Sequence, residues 1–65
     1  MTPAIKKEID KLARMFAKMR NGEISAEEWK ETLYSTEDRL KIEDYTQFES
    51  EIIARYKYLL GRGQL

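Results

Sequence analysis

Two carboxylates, Glu27 and Glu31, lie four residues apart, a spacing that places both side chains on one face of a helix. Paired carboxylates act as general acid and base when burial or a neighbouring charge shifts their pKa values. The exposed face of a helix supplies no such pocket, and the chain contains no histidine, no cysteine and no glycine-rich phosphate loop. The sequence therefore predicts a protein that is not an enzyme and uses no cofactor.

A second group of potential ligands occupies residues 21–28, which resemble the second half of the calcium-binding loop of EF-hand proteins. The resemblance implies three oxygen ligands, which are Asn21, Ser25 and Glu28. The first and third positions of such a loop are Ala17 and Met19 here, so two oxygen ligands of the six or more that calcium requires are missing. We therefore predict no metal site, and we expect Ser25 and Glu28 to cap a helix.

The same segment predicts the end of one helix and the start of another. Asn21-Gly22 tolerates the positive φ of a helix C-terminus, and Ser25 with Glu28 matches a capping box. Ile24 and Trp29 occupy the positions of a hydrophobic staple. Residues 9–34 also resemble the SHOCT-type short helical hairpin through Leu12, the turn at residues 22–25, Glu28-Trp29 and Leu33. This resemblance implies a hairpin used for oligomerisation.

The periodicity of apolar residues predicts an all-α fold of three helices, over residues 3–20, 26–41 and 45–60. Thr2 and Asp44 are the expected N-caps of the first and third helices, the latter with Gln47 as capping-box partner, and Gly61 is the expected end of the third. The second helix has a possible bend near Ser35. The predicted buried stripes are Ile5, Ile9, Leu12, Phe16 and Met19; then Trp29, Leu33, Thr36 and Leu40; then Tyr45, Phe48, Ile52, Tyr56 and Leu59, broadened by Ile53 and Leu60.

Short connections make neighbouring helices antiparallel. The first two helices should therefore form a hairpin, and the third should close it into a bundle or exchange with a second subunit. Residues 1–65 form a single domain, with a frayed tail at 61–65. A chain of 65 residues has a small core and here has no cysteine for a disulfide, so we expect a homo-oligomer, most simply a dimer. No apolar run reaches the roughly 20 residues of a membrane span, and a cytoplasmic location is expected.

Charge is unevenly distributed although its sum is zero, with 12 basic and 12 acidic residues. Both ends of the chain are basic and residues 21–51 are strongly acidic. On the first predicted helix, four basic side chains share the face opposite the apolar stripe: Lys7, Lys11, Arg14 and Lys18. Together with Arg55, Lys57 and Arg62 they would suit a small DNA-associated transcriptional regulator, although the pI near 6.3 is low for a dedicated nucleic-acid binder.

Protein binding fits the pattern best. Seven aromatic residues exceed what three short stripes must bury, and Tyr34 and Tyr58 fall outside the main stripes. The candidate partner-binding residues are Tyr34, Arg55, Tyr58, Arg62, Glu27, Glu31 and Asp38. The acidic members would also allow mimicry of nucleic acid. We predict a helical protein-interaction module, such as an inhibitor or adaptor encoded by a phage or bacterium; the alternatives are a DNA-associated regulator and a structural oligomerisation module.

Overall fold

The computed structural model describes residues 2–65, which form three α-helices. These are α1 (Pro3–Arg20), α2 (Ala26–Arg39) and α3 (Tyr45–Gly61). The described part of the chain contains no strand, so the predicted all-α class is confirmed. The predicted bounds of α1 are correct, α2 ends two residues earlier than expected, and α3 ends one residue later. Helix α2 is uninterrupted through Ser35, which therefore does not end it.

Each helix begins at a residue whose side-chain oxygen accepts a hydrogen bond from the backbone N–H three residues later. The pairs are Ile5 N–H to Thr2 at 3.2 Å, Glu28 N–H to Ser25 at 3.0 Å and Gln47 N–H to Asp44 at 3.0 Å. These three bonds satisfy donors that have no partner inside the helix. All three predicted N-caps are confirmed. Within residues 2–65, however, the side chains of Glu28 and Gln47 do not accept the reciprocal capping-box bonds from the backbone N–H groups of their N-cap residues.

All three helices end in a Schellman motif, in which a residue with positive φ turns the chain and a 6→1 hydrogen bond closes the last turn. The positive-φ residues are Gly22 (φ 80°), Lys41 (φ 53°) and Gly63 (φ 71°). The closing bonds run from Glu23 N–H to Lys18 O at 2.9 Å, from Ile42 N–H to Glu37 O at 3.0 Å and from Gln64 N–H to Leu59 O at 3.0 Å.

The third motif corrects the expected end of α3. Gly61 was predicted to terminate the helix, but it remains helical and Gly63 takes the left-handed position instead. Gln64 N–H closes the last turn onto the Leu59 carbonyl. The predicted fraying of residues 61–65 stays a prediction.

Lys41 is the one residue other than glycine with positive φ in the described chain. Its replacement should therefore change the stability of the fold. A side chain with a Cβ is disfavoured in this conformation by roughly 1–2 kcal/mol, and part of that is offset because glycine is more flexible in the unfolded state. Lys41→Gly should therefore raise the free energy of unfolding by about 0.5–1 kcal/mol, measured by urea denaturation. Gly22→Ala should lower the free energy of unfolding, because the positive φ of Gly22 disfavours a residue with a Cβ. No neighbouring atom would clash with that Cβ, so the backbone conformation is the whole cause.

Helix α1 is the centre of the bundle, because it packs against both other helices while α2 and α3 make few contacts with each other. Helices α1 and α2 are antiparallel, since Glu8 near the start of α1 pairs with Arg39 at the end of α2. Helices α1 and α3 run in the same direction, since Asp10 pairs with Arg55 and Phe16 packs on Tyr56. The predicted hairpin is thus present, and α3 packs on α1 to complete the bundle.

The core lies along α1 and is fully closed around Leu12, Ile52 and Leu59. Ala13 and Ala17 are also buried. Phe16 makes edge-to-face contacts with Trp29 at 5.1 Å and with Tyr56 at 4.9 Å between ring centroids, which ties all three helices together.

Two residues of the predicted α3 stripe are exposed. Tyr45 is 56% exposed at the first turn of α3, and Leu60 is 51% exposed. Leu60 follows Glu49 by about three helical turns and shares its face, which points towards α2. Because α2 and α3 make few contacts, α2 leaves Leu60 about half exposed.

Candidate protein-interaction surfaces

Three side chains of α3 form a compact cationic and aromatic cluster, which we call the Arg–Tyr–Arg cluster: Arg55, Tyr58 and Arg62. Their spacing of three and four residues places them on one helix face, as the sequence predicted. The guanidinium carbons of Arg55 and Arg62 lie 5.2 and 5.5 Å from the centre of the Tyr58 ring, within the range of cation–π attraction. Tyr58 is nevertheless 51% exposed, so the cluster is ordered and accessible at the same time.

Asp10 of α1 holds this cluster against the bundle. One carboxylate oxygen accepts a hydrogen bond from Arg55 Nε at 2.8 Å, and the other accepts one from Arg14 Nε at 2.9 Å. The hydrogen bond from Arg14 and then that from Arg55 lower the pKa of Asp10, against the opposing effect of partial burial. Ion pairs this accessible contribute at most about 1 kcal/mol each. Their main effect is therefore to orient Arg55 and to join the basic residues of α1 to those of α3.

The outer face of α1 carries the predicted basic residues, here called the basic stripe: Lys7, Lys11, Arg14 and Lys18. All four are exposed. An open groove of about 700 Å³ runs beside them and is also lined by the apolar side chains of Met15 and Ile24. Among residues 2–65, Arg14 is the stripe's one member with an ion-pair partner. The positive charge of the lysines is therefore available to another molecule.

The outer face of α2 carries the acidic stripe: Glu27, Glu31, Tyr34 and Asp38. Every member is exposed, and Tyr34 is the most exposed large hydrophobic residue of the described chain at 58%. No member takes part in an ion pair within residues 2–65. The predicted acidic candidates are therefore brought together on one face around a tyrosine, on a different helix from the Arg–Tyr–Arg cluster.

Glu37 is a residue of unusual chemistry that the sequence analysis did not single out. Its side chain lies at the poorly packed boundary between α2 and α3, is 4% exposed, and has one oxygen, Oε2, without a hydrogen-bond partner in the described chain. Burial, and then the facing carboxylate of Glu49, raise the pKa of Glu37 to about 7. Its position in the sequence could have indicated this burial, because Glu37 follows Leu33 by four residues and so lies on the inner face of α2.

Glu8 is a second partly buried carboxylate, on the opposite side of α2. Its Oε1 accepts a hydrogen bond from Arg39 at 2.8 Å, while its Oε2 is buried without a partner among residues 2–65. Because this carboxylate is paired with a guanidinium, it fixes the antiparallel arrangement of α1 and α2.

Two of the three oxygen-bearing residues considered as metal ligands, Asn21 and Ser25, are helix caps. The Ser25 hydroxyl is occupied as a cap, and Asn21 is the last residue of the α1 terminus before Gly22 turns the chain. Across residues 2–65, no three acidic residues converge in a way that could hold a metal ion. None of the three described helices has the length and apolarity needed to cross a bilayer.

Comparison of the chain with protein-family models, curated proteins and solved structures gives no significant match, so the resemblance of residues 9–34 to the short helical hairpin stays a prediction.

Proposed function

We propose that this chain is a non-enzymatic protein-interaction module, such as a cytoplasmic inhibitor or adaptor, that docks on an acidic surface of a protein partner through the Arg–Tyr–Arg cluster. The observation that carries the proposal is the geometry of Arg55, Tyr58 and Arg62. Two guanidinium groups lie over a half-exposed tyrosine ring, and one of them is fixed from behind by Asp10.

This arrangement has the properties of an interface anchor. Tyrosine and arginine are enriched among the residues that dominate binding energy at protein interfaces. Ordering a side chain on binding costs about 0.5–1.5 kcal/mol, and a side chain that is already held in place avoids much of that cost. Arg55 is held by Asp10, and Tyr58 is held between its helix and two guanidinium groups. Arg62 has no ion-pair partner among residues 2–65. Its positive charge beside an aromatic ring favours an acidic partner surface.

The test is comparative capture from a lysate of the native host, with the full-length chain immobilised and bound proteins quantified by mass spectrometry. Tyr58→Ala should reduce capture of the specific partner about 30-fold, the effect of losing roughly 2 kcal/mol at a hot spot. Tyr45→Ala is the matched control, because Tyr45 is on the same helix and is equally exposed but has no arginine stacked on it.

The captured partner is then purified and its affinity for each variant is measured by calorimetry. Retention of full affinity by Tyr58→Ala, or equal losses for Tyr58→Ala and Tyr45→Ala, would contradict docking through the cluster. Circular dichroism of both variants checks that the bundle remains folded.

A further inference from the structure

We infer that the basic stripe of α1 is a docking site for the acidic stripe of α2 in a second copy of this chain. The first observation is the spacing of the two stripes. Lys7, Lys11, Arg14 and Lys18 follow one another at steps of four, three and four residues, and Glu27, Glu31, Tyr34 and Asp38 follow at the same steps. Each stripe is therefore about 16 Å long, at a rise of about 1.5 Å per residue.

Two helices whose side chains repeat at the same interval can be placed side by side with every position matched. The order of steps is the same read forwards or backwards, so the stripes match in either relative direction. In the antiparallel arrangement the facing pairs are Lys7 with Asp38, Lys11 with Tyr34, Arg14 with Glu31 and Lys18 with Glu27. Three pairs join opposite charges, and the fourth places an ammonium group beside an aromatic ring.

The second observation is that both stripes are exposed and almost entirely without ion-pair partners in the described chain. Arg14 alone pairs, with Asp10. Within one molecule the stripes lie on the outer faces of different helices, so they cannot neutralise each other. The net charge of zero also removes long-range repulsion between copies. Charge complementarity thus favours a copy of this chain as the occupant.

The contact is heterologous, because one copy contributes its α1 face and the next its α2 face. Such contacts build rings or open chains of subunits and not closed two-fold dimers. A stripe about 16 Å long is smaller than a standard interface, so association is weak, in the range of about 10–1000 µM, and strongly dependent on ionic strength.

The experiment is sedimentation equilibrium of the full-length chain from 10 to 500 µM, in about 20 mM and about 500 mM salt. The wild-type protein should exceed the monomer mass of 7.7 kDa progressively at low salt and return to it at high salt. Two double variants each reverse the charge of two residues in one stripe. The acidic-stripe variant is Glu31→Lys with Asp38→Lys, and the basic-stripe variant is Lys7→Glu with Lys11→Glu. Each variant alone should associate at least about tenfold more weakly, and an equimolar mixture of the two should associate again.

Matched controls separate the stripes from net charge. Glu23→Lys with Glu43→Lys, both exposed loop residues, gives the same net charge as the acidic-stripe variant but leaves both stripes intact, so it should still associate. Tyr58→Ala should also associate normally, because Tyr58 lies outside both stripes. Self-association through the stripes is therefore tested independently of docking through the Arg–Tyr–Arg cluster.

Three results would overturn the inference. One is a wild-type chain that stays monomeric at 500 µM in low salt, and another is association that the stripe variants leave unchanged. The third is a monomer that binds a 20-base-pair DNA duplex in fluorescence anisotropy and loses that binding in the Lys7→Glu/Lys11→Glu variant. That result would assign the basic stripe to nucleic acid.

Discussion

Replacing Glu37 with glutamine should stabilise the protein above neutral pH, by up to about 3 kcal/mol at pH 8.5, and have little effect near pH 4.5. The pKa of Glu37 is raised from 4.5 to about 7 in the folded protein. The folded state therefore holds a proton that the unfolded state releases between pH 4.5 and 7. Stability from this group is fully present below the unfolded pKa and is lost as pH rises through 7, at about 1.4 kcal/mol per pKa unit.

The physical cause is that ionisation places a charge on the buried side chain of Glu37, beside the Glu49 carboxylate. Glutamine keeps the shape, carries no charge, and its amide N–H can donate to Glu49 at every pH. Urea denaturation of both proteins at pH 4.5, 6, 7 and 8.5 measures the difference. Glu31→Gln, on the exposed face of the same helix, should change stability by less than about 0.5 kcal/mol at each pH. A Glu37→Gln effect that does not vary with pH would contradict the assigned titration.

Truncation of Trp29 should remove a large part of the stability of the protein. Trp29→Ala removes a buried indole, its edge-to-face contact with Phe16, and the hydrogen bond from its Nε1 to the Leu12 carbonyl at 3.1 Å. Aromatic-to-alanine changes in a core cost about 3–5 kcal/mol. A 65-residue domain has a total stability of roughly 3–10 kcal/mol, so the loss is a large part of the whole.

Far-UV circular dichroism during urea denaturation measures this effect, since the variant has no tryptophan fluorescence. Trp29→Phe is the informative comparison, because it keeps an aromatic ring against Phe16 and loses only the N–H donor and some volume. It should remain folded and lose about 1–2 kcal/mol. If Trp29→Ala were as stable as the wild-type protein, α2 would not pack on α1 through this side chain.

Local signals along the chain predicted the helices well because each depends on residues close in sequence. The side chains of Thr2, Ser25 and Asp44 each accept a hydrogen bond from the backbone N–H three residues later. The apolar residues of α1 likewise recur at a regular interval along the helix. The end of α3 was mispredicted because Gly61 and Gly63 are both competent to turn the chain. The choice between them depends on packing of the last turn, where Leu59 is fully buried.

For the surfaces, the sequence predicted only which side chains share a helix face, because that follows from helix periodicity. Spacing alone grouped Arg55 with Tyr58 and Arg62, and Lys7 with Lys11. It did not reveal that Asp10 joins the two groups, because that contact depends on the register and rotation of α3 against α1. It did not single out Glu37, although the position of this residue four residues after Leu33 places it on the inner face of α2. Exposure of Leu60 similarly follows from poor contact between α2 and α3, which no local pattern encodes.

The central position of α1 has a consequence for motion within the native state. Because α2 touches α3 so little, it can detach from α1 without separating α1 from α3. The amides of α2 are therefore accessible to hydrogen exchange through a subglobal opening that costs less than complete unfolding. The amides of α1 lose their protection only when both flanking helices leave, so this helix is the slowest-exchanging segment of the chain.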